Sequence, residues 1–218
     1  VYLEFDNFKG KNGTSISQIN QEVSWTQLGS TLNNITNSIT NDDLKLLYNR
    51  TTSISNNGYI KVNGDPNNKR VFILRYDEDN NTWNETILSS IIGKFGSSVS
   101  LSGDGNTLAI STINQTEVYI YVYNGSNWSL RDTINKSGRT KFGIRIKLSD
   151  DSNTLIVGDN DTSGKKLFIY KYENSSWNET ELDVISSINN NRMYYSIDLS
   201  RDGNIIVIGY NHRVLSIY

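Results

Sequence analysis

A chain of 218 residues with 36% hydrophobic and 11% aromatic side chains holds too much apolar material for a disordered segment and enough to bury a core. Its formal charge of -2 gives no global attraction to nucleic acid or to an anionic membrane surface, and no apolar run approaches the roughly 18 to 20 residues that a spanning helix needs. The absence of cysteine excludes disulfides and thiolate metal sites but does not choose a redox compartment.

The opening "VYLEF" reads as a strand with neither an initiator Met nor a leader before it, which suggests a processed chain or a piece of a longer one. Residues 1–22 are expected to form an N-terminal strand and loop. Residues 23–218 then repeat. "YNRTTSISNNGYIKVNG" from Tyr48, "FGSSVSLSGDGNTLAIS" from Phe95, "FGIRIKLSDDSNTLIVG" from Phe142 and "MYYSIDLSRDGNIIVIG" from Met193 align, with starts 47, 47 and 51 residues apart. A second block follows each copy: "VFILRY" at Val71, "VYIYVY" at Val118, "LFIYKY" at Leu167 and "VLSIY" at Val214. Trp83, Trp128 and Trp177 follow three of these blocks, as Trp25 follows "VYLEF".

Each unit therefore offers four short strands separated by turn residues, such as Ser98 to Ser102, Thr107 to Ser111, Val118 to Tyr123 and Trp128 to Ile134. Ala109 is the only alanine, β-branched and aromatic residues dominate, and Glu181 to Ile188 comes nearest to a helical period. "VYIYVY" is apolar or aromatic on both alternating faces, which requires a sheet covered on both sides. Four-stranded sheets repeating every 40 to 50 residues between like neighbours are the blades of a β-propeller, so the expected fold is an all-β propeller with about four antiparallel blades in this chain. The phase leaves two arrangements open: the segment around Trp25 completes the C-terminal blade and closes the ring, or the chain is part of a larger ring.

Together, "SWTQLGSTL", "FGSSVSLSGDGNTLAIS" and "VYIYVYNGSNW" resemble the repeats of FG-GAP-like (integrin α-type) propellers over about residues 23–218, most closely in the two middle copies. The resemblance implies extracellular display and binding or adhesion, as in large surface proteins of microbial eukaryotes, some bacteria and large DNA viruses. The calcium cage of such repeats is not carried over. "SGDGN", "SDDSN", "SRDGN" and "SNNGY" supply at most two carboxylates each, whereas Ca²⁺ takes six to eight oxygen ligands. The same turns are also similar to the hairpins of WD-repeat and TolB-type propellers, with their proline replaced.

Candidate chemistry is sparse. Asp104-Gly105 and Asp202-Gly203 fit hairpin turns. Asp159 and Asp161, in the loop "GDNDTSG", are the best cation candidates, although two carboxylates more often mark a solvated loop. His212 is the only histidine, and nothing around it forms a nucleophile elbow. Lys136, Arg139, Lys141, Arg145 and Lys147 form a basic run, read as a solvated strand edge because two aspartates follow at once. Tyr119, Tyr121 and Tyr123, with Phe168, Tyr170 and Tyr172, read as packing between blades rather than as a sugar platform.

Glycan acceptors are the sharper signal. Asn-x-Ser/Thr occurs at Asn12, Asn34, Asn49, Asn80, Asn84, Asn114, Asn124, Asn127, Asn135, Asn160, Asn174 and Asn178. Thirty Asn and forty-four Ser plus Thr would give roughly six by chance. Six of the twelve flank the Trp that opens a fourth strand, which a propeller places at its outer rim. The expectation is a secreted, cell-surface or virion-surface glycoprotein, not an enzyme, with no cofactor, carrying N-linked glycans and binding protein or carbohydrate, or assembling with itself, through its loops. An extracellular propeller enzyme acting on glycans and an intracellular WD-repeat-like scaffold are the alternatives.

Overall fold

The computed structural model describes residues 51–91, 93–113, 116–161, 166–182, 196–210 and 213–215. Residues 1–22, Trp25, His212 and the acceptors Asn12, Asn34, Asn49 and Asn114 lie outside them, as does most of Glu181 to Ile188, whose first two residues finish a strand.

The described residues form β-sheets in the expected phase. The first blade comprises β1 (Thr52–Ile54), β2 (Ile60–Asp65), β3 (Arg70–Asp77) and β4 (Thr82–Ser89). The second is β5 (Lys94–Leu101), β6 (Thr107–Ile113), β7 (Glu117–Tyr123) and β8 (Trp128–Asn135). The third is β9 (Phe142–Leu148), β10 (Thr154–Asp159), β11 (Lys166–Glu173) and β12 (Ser176–Leu182), and the fourth shows β13 (Ser196–Leu199), β14 (Ile206–Tyr210) and β15 (Arg213–Leu215). Each sheet is an antiparallel meander in chain order. First strands of successive blades lie against one another, which makes them the inner strands, while β4, β8 and β12 are outer edges.

Three apolar clusters, one at each seam, join the blades. Val62 and Val71 of the first blade pack with Phe95, Val99, Leu108 and Ile110 of the second. Ala109, Val118 and Ile120 of the second meet Phe142, Ile146, Leu155 and Val157 of the third. Ile156 and Leu167 of the third meet Leu199, Ile206 and Ile208 of the fourth. Alternate residues of one strand thus feed opposite seams, which is why "VYIYVY" and "TLIVGD" are apolar on both faces. Tyr119 and Tyr121 pack on the first seam and Phe168 and Tyr170 belong to the second, so these rings are packing residues.

The Phe-Gly pair has a steric origin. Gly96 and Gly143 adopt φ of 90° and 80°, open to glycine but strained for other residues. A Cβ on Gly96 would stand 2.8 Å from the Arg70 carbonyl oxygen, and one on Gly143 would stand 2.8 Å from Ser111 Cβ, both in the preceding blade. Glycine therefore lets the inner strand approach its neighbour while Phe95 or Phe142 enters the seam. In β5 the pairing register shifts between Phe95 and Val99, so the strand begins before the expected Ser98 and carries a bulge.

Serine hydroxyls tie inner strands together where no ladder forms. Ser53 Oγ accepts from Leu101 N at 2.9 Å, Ser98 Oγ from Ile146 N at 3.2 Å and Ser100 Oγ from Leu148 N at 2.9 Å. At the next seam the register position of Ser53 and Ser100 is Lys147, and its Nζ lies 3.1 Å from Asp198 Oδ1. Further out, Arg75 Nη2 reaches the Gly105 carbonyl at 3.3 Å with its guanidinium 4.1 Å from the Tyr123 ring centre, and Lys171 Nζ reaches the Gly203 carbonyl at 3.1 Å. Each of these bonds clasps a third strand to the first hairpin of the following blade.

Candidate functional site: inner hairpins and outer rim

The four inner hairpins share one hydrogen-bonded turn. Ser55, Ser102, Ser149 and Ser200 each donate Oγ–H to the side chain two residues on, at 2.7 Å to Asn57, 2.6 Å to Asp104 and 2.6 Å to Asp202, with Asp151 the fourth acceptor. That acceptor also takes the N–H two residues later, from Tyr59, Asn106, Asn153 and Asn204. The same serine hydroxyl accepts from the N–H that opens the next strand, at Ile60, Thr107, Thr154 and Ile205. The residue after the Asx acceptor has positive φ in all four copies: Gly58, Gly105, Ser152 and Gly203. Asp104 and Asp202 are therefore turn residues. Burial disfavours the charge on Asp104 and Asp151, but hydrogen bonds from Ser102 or Ser149 and from the following Asn outweigh it and hold both carboxyls below their ordinary range. At Asp202 the Ser200 hydroxyl leads the same downward shift.

Neighbouring turns are linked by their backbones. Asn56 N donates to Gly103 O at 2.9 Å, Gly103 N to Asp150 O at 3.1 Å, and Asp150 N to Arg201 O at 3.0 Å, one bond per seam. The Asp150 carboxylate receives Asn56 Nδ2 and Arg201 Nε, both at 2.7 Å. Sequence reading passed over Asn56, Asp150 and Arg201. Their common place one residue after the turn serine was the available signal.

Asp159 and Asp161 are buried but already engaged. Asp159 is 0% exposed with Oδ2 2.8 Å from Arg139 Nη1, and Asp161 Oδ2 accepts from Thr140 N at 2.8 Å and Thr140 Oγ1 at 2.9 Å. Burial pushes the Asp159 carboxyl up, and Arg139 opposes that shift. A guanidinium and a threonine occupy the positions a cation would take, and no group of three or more His, Cys, Asp or Glu gathers for a metal among the described residues. The expected solvated loop is therefore corrected at its start: these two carboxylates anchor the β8–β9 connection to the end of β10.

The basic run disperses along the fold. Lys136 pairs with Glu179, Arg139 with Asp159, and Lys147 with Asp198. Only Arg145 is exposed with a backbone carbonyl, that of Ile144, as its bond partner. Three of the five cations are thus matched by carboxylates.

Acceptor asparagines concentrate on the outer hairpins. Asn80, Asn124 and Asn174 stand in the β3–β4, β7–β8 and β11–β12 turns, Asn84 and Asn178 lie on β4 and β12, and Asn127 precedes Trp128; all six are exposed, as is Asn135 at the end of β8. Each hairpin also packs a Tyr against its Trp, Tyr76 against Trp83, Tyr123 against Trp128 and Tyr172 against Trp177, with ring centres 5.0 to 5.4 Å apart and planes tilted by 45° to 52°. Asn160 departs from the expectation. It is 7% exposed and its Oδ1 is buried without a partner, unlike the exposed acceptors of the rim.

Among the described residues no helix is long and apolar enough to cross a membrane. No protein-family model matches the chain, and no curated protein matches it either. Solved structures do. A candidate 6-phosphogluconolactonase from Bacteroides uniformis superposes with a TM-score of 0.54 at 15% identity, over 72% of this chain and 46% of its own. The β-propeller domain of Cps50 (Swd1) from Myceliophteria thermophila gives 0.54 at 12% identity, over 73% and 47%. Hydrazine synthase from Kuenenia stuttgartiensis gives 0.52 at 12% identity, over 72% and 42%. The chain thus spans about half the length of the structures it matches, and at these identities the likeness shows the fold alone: an all-β propeller of four-stranded antiparallel blades.

Proposed function

We propose that this propeller is a non-enzymatic module of a secreted, cell-surface or virion-surface glycoprotein, working in adhesion, recognition or structural assembly. The observation that carries the reading is the rim, where three successive outer hairpins each present two exposed acceptors: Asn80 and Asn84, Asn124 and Asn127, Asn174 and Asn178. A glycan requires an exposed asparagine, and a rim position leaves the loops at both ends of the blades free to bind. The FG-GAP-like repeat pattern supports the same reading.

An enzyme acting on glycans would need carboxylates free to move protons near the ring axis. At the inner hairpins Asp104, Asp151 and Asp202 are bound into turns and Asp150 lies between Asn56 and Arg201, which favours structure over catalysis there. The test is the intact mass of the protein from its native source before and after enzymatic removal of N-glycans. We expect a mass loss and conversion of rim asparagines to aspartate. An unmodified protein would overturn the secreted reading, and hydrolysis of oligosaccharides by the pure protein would overturn the non-enzymatic one.

A further inference from the structure

Three Asn-Gly pairs lie among the described residues: Asn57-Gly58, Asn63-Gly64 and Asn124-Gly125. Such a pair can react with itself. When the glycine amide nitrogen loses its proton and attacks the asparagine Cγ, a cyclic imide closes, the Cγ–Nδ2 bond breaks and ammonia leaves. Water then opens the ring to aspartate or isoaspartate. Glycine permits the attack because it sets no side chain in its way. The surrounding structure decides the rate through the partner of that N–H, the donors that face the charge building on Oδ1, and the freedom of the backbone to move.

Asn63-Gly64 is closed to this chemistry. Gly64 is buried, its N–H donates to Thr51 O at 2.8 Å, and a Cβ there would stand 2.1 Å from Gly96 O. Asn57-Gly58 has the electrophile but lacks the nucleophile: Asn57 Oδ1 accepts from Ser55 Oγ and Tyr59 N, while Gly58 N is held by Ser55 O at 2.9 Å. The inner-hairpin glycines Gly105 and Gly203 are held in the same way, by Ser102 O at 3.0 Å and Ser200 O at 2.9 Å. Asn124-Gly125 differs. It stands in the exposed β7–β8 turn, where Asn124 Oδ1 accepts from Ser126 N at 3.0 Å and Asn127 N at 2.8 Å. Gly125 N donates to no acceptor among the described residues, and a Cβ on Gly125 would meet nothing within 4 Å.

We propose that Asn124 is a self-modification site, converted to aspartate and isoaspartate by its own turn. The Ser126 and Asn127 N–H groups give Oδ1 what an oxyanion hole gives a tetrahedral intermediate, and the unbonded Gly125 N–H supplies the nucleophile. The product carries a negative charge. Isoaspartate also adds a methylene to the backbone of a turn that Asn124 N and Asn127 O close at 3.1 Å, so the hairpin must rearrange. The nitrogen that leaves is the one that would carry an N-glycan, so conversion erases this acceptor. The inference does not depend on any glycan being present.

The test holds the unglycosylated 218-residue protein folded in mildly alkaline buffer and follows each pair by peptide mapping, with isoaspartate read by enzymatic methyl transfer. Asn124 should convert at least about tenfold faster than Asn57 or Asn63, the factor that about 1.4 kcal/mol of turn opening imposes. In guanidinium chloride, where the glycine N–H groups of all three pairs are released, the rates should converge. An Asn124 that stays intact, or an Asn57 or Asn63 rate within about twofold of it in the folded protein, would overturn the proposal. A preference for Asn124 that survives unfolding would overturn it too, by showing that the turn does not set the rate. Isoaspartate is not a product of enzymatic N-glycan removal, so this result and the mass test of glycosylation fail independently.

Discussion

Asn56 and Asp150 belong to blades two apart, yet Asn56 Nδ2 donates to Asp150 Oδ2 at 2.7 Å, directly over Gly103 of the blade between. The contact exists because position 103 has no side chain: a Cβ there would lie 2.4 Å from Asn56 Nδ2 and 2.8 Å from Asp150 Cβ. Gly103→Ala should therefore part the pair and strain the chain of backbone bonds from Asn56 to Arg201. The expected cost is about 1–3 kcal/mol, the usual price of overpacking, read as a Tm lower by roughly 2–4 °C per kcal/mol for a chain of this size. An unchanged Tm would show that the turns shift freely.

The inter-blade serines make a second prediction. Ser100→Ala leaves Leu148 N without its acceptor at a seam where Ser100 is 2% and Leu148 1% exposed. An orphaned buried donor costs about 1–3 kcal/mol. Hydrogen exchange should speed up at the Leu148 amide first, and a uniform change across the blade would argue against a local bond.

Much of this fold was legible because its signals are local. The hairpin at Asp104 follows from turn chemistry, and the blade phase follows from the spacing of Phe95 and Phe142 and from Trp83, Trp128 and Trp177 in the first two positions of β4, β8 and β12. What stayed hidden depends on residues brought together by folding. Ser53, Ser98 and Ser100 look like ordinary polar strand residues until the neighbouring inner strand presents its N–H groups. Asp159 and Asp161 resemble a cation loop until Arg139 and Thr140, some twenty residues earlier, are placed beside them. Asn160 satisfies the acceptor rule, but the rule does not register that the same connection buries it. Val207 looks like one more strand residue until register sets it, 38% exposed, beside its buried counterparts Val62, Ala109 and Ile156.

Acid should weaken the inner hairpins in a defined direction. Asp104, Asp151 and Asp202 are held below the ordinary carboxyl value of 3.8, so their ionised forms contribute stability that is fully present above that value and lost as pH falls through the lower folded values. Asp104→Asn keeps the acceptor oxygen, as Asn57 does naturally in the first blade, but removes the titration. The variant should be slightly less stable at neutral pH and show a shallower decline of Tm with acid from about pH 5 downward. A steeper acid decline than wild type would contradict this assignment.

Arg139 and Asp159 should show the opposite pH behaviour once separated. Arg139 is 15% exposed and Asp159 0%, so Arg139→Ala strands a buried carboxylate, at a cost of about 3–5 kcal/mol near neutral pH. Burial already raises the Asp159 carboxyl despite the guanidinium, and removing Arg139 takes away the main opposing charge. A carboxyl raised in the folded state penalises folding above its folded value and stops doing so as pH falls through it, so the deficit of Arg139→Ala should shrink in acid. Arg139→Ala/Asp159→Asn should recover part of the loss at neutral pH by removing the charge. Millimolar calcium should leave the wild-type Tm unchanged, since Arg139 and Thr140 hold the oxygens a cation would need; a rise in Tm would show that the ion displaces them and would restore this loop as a metal site.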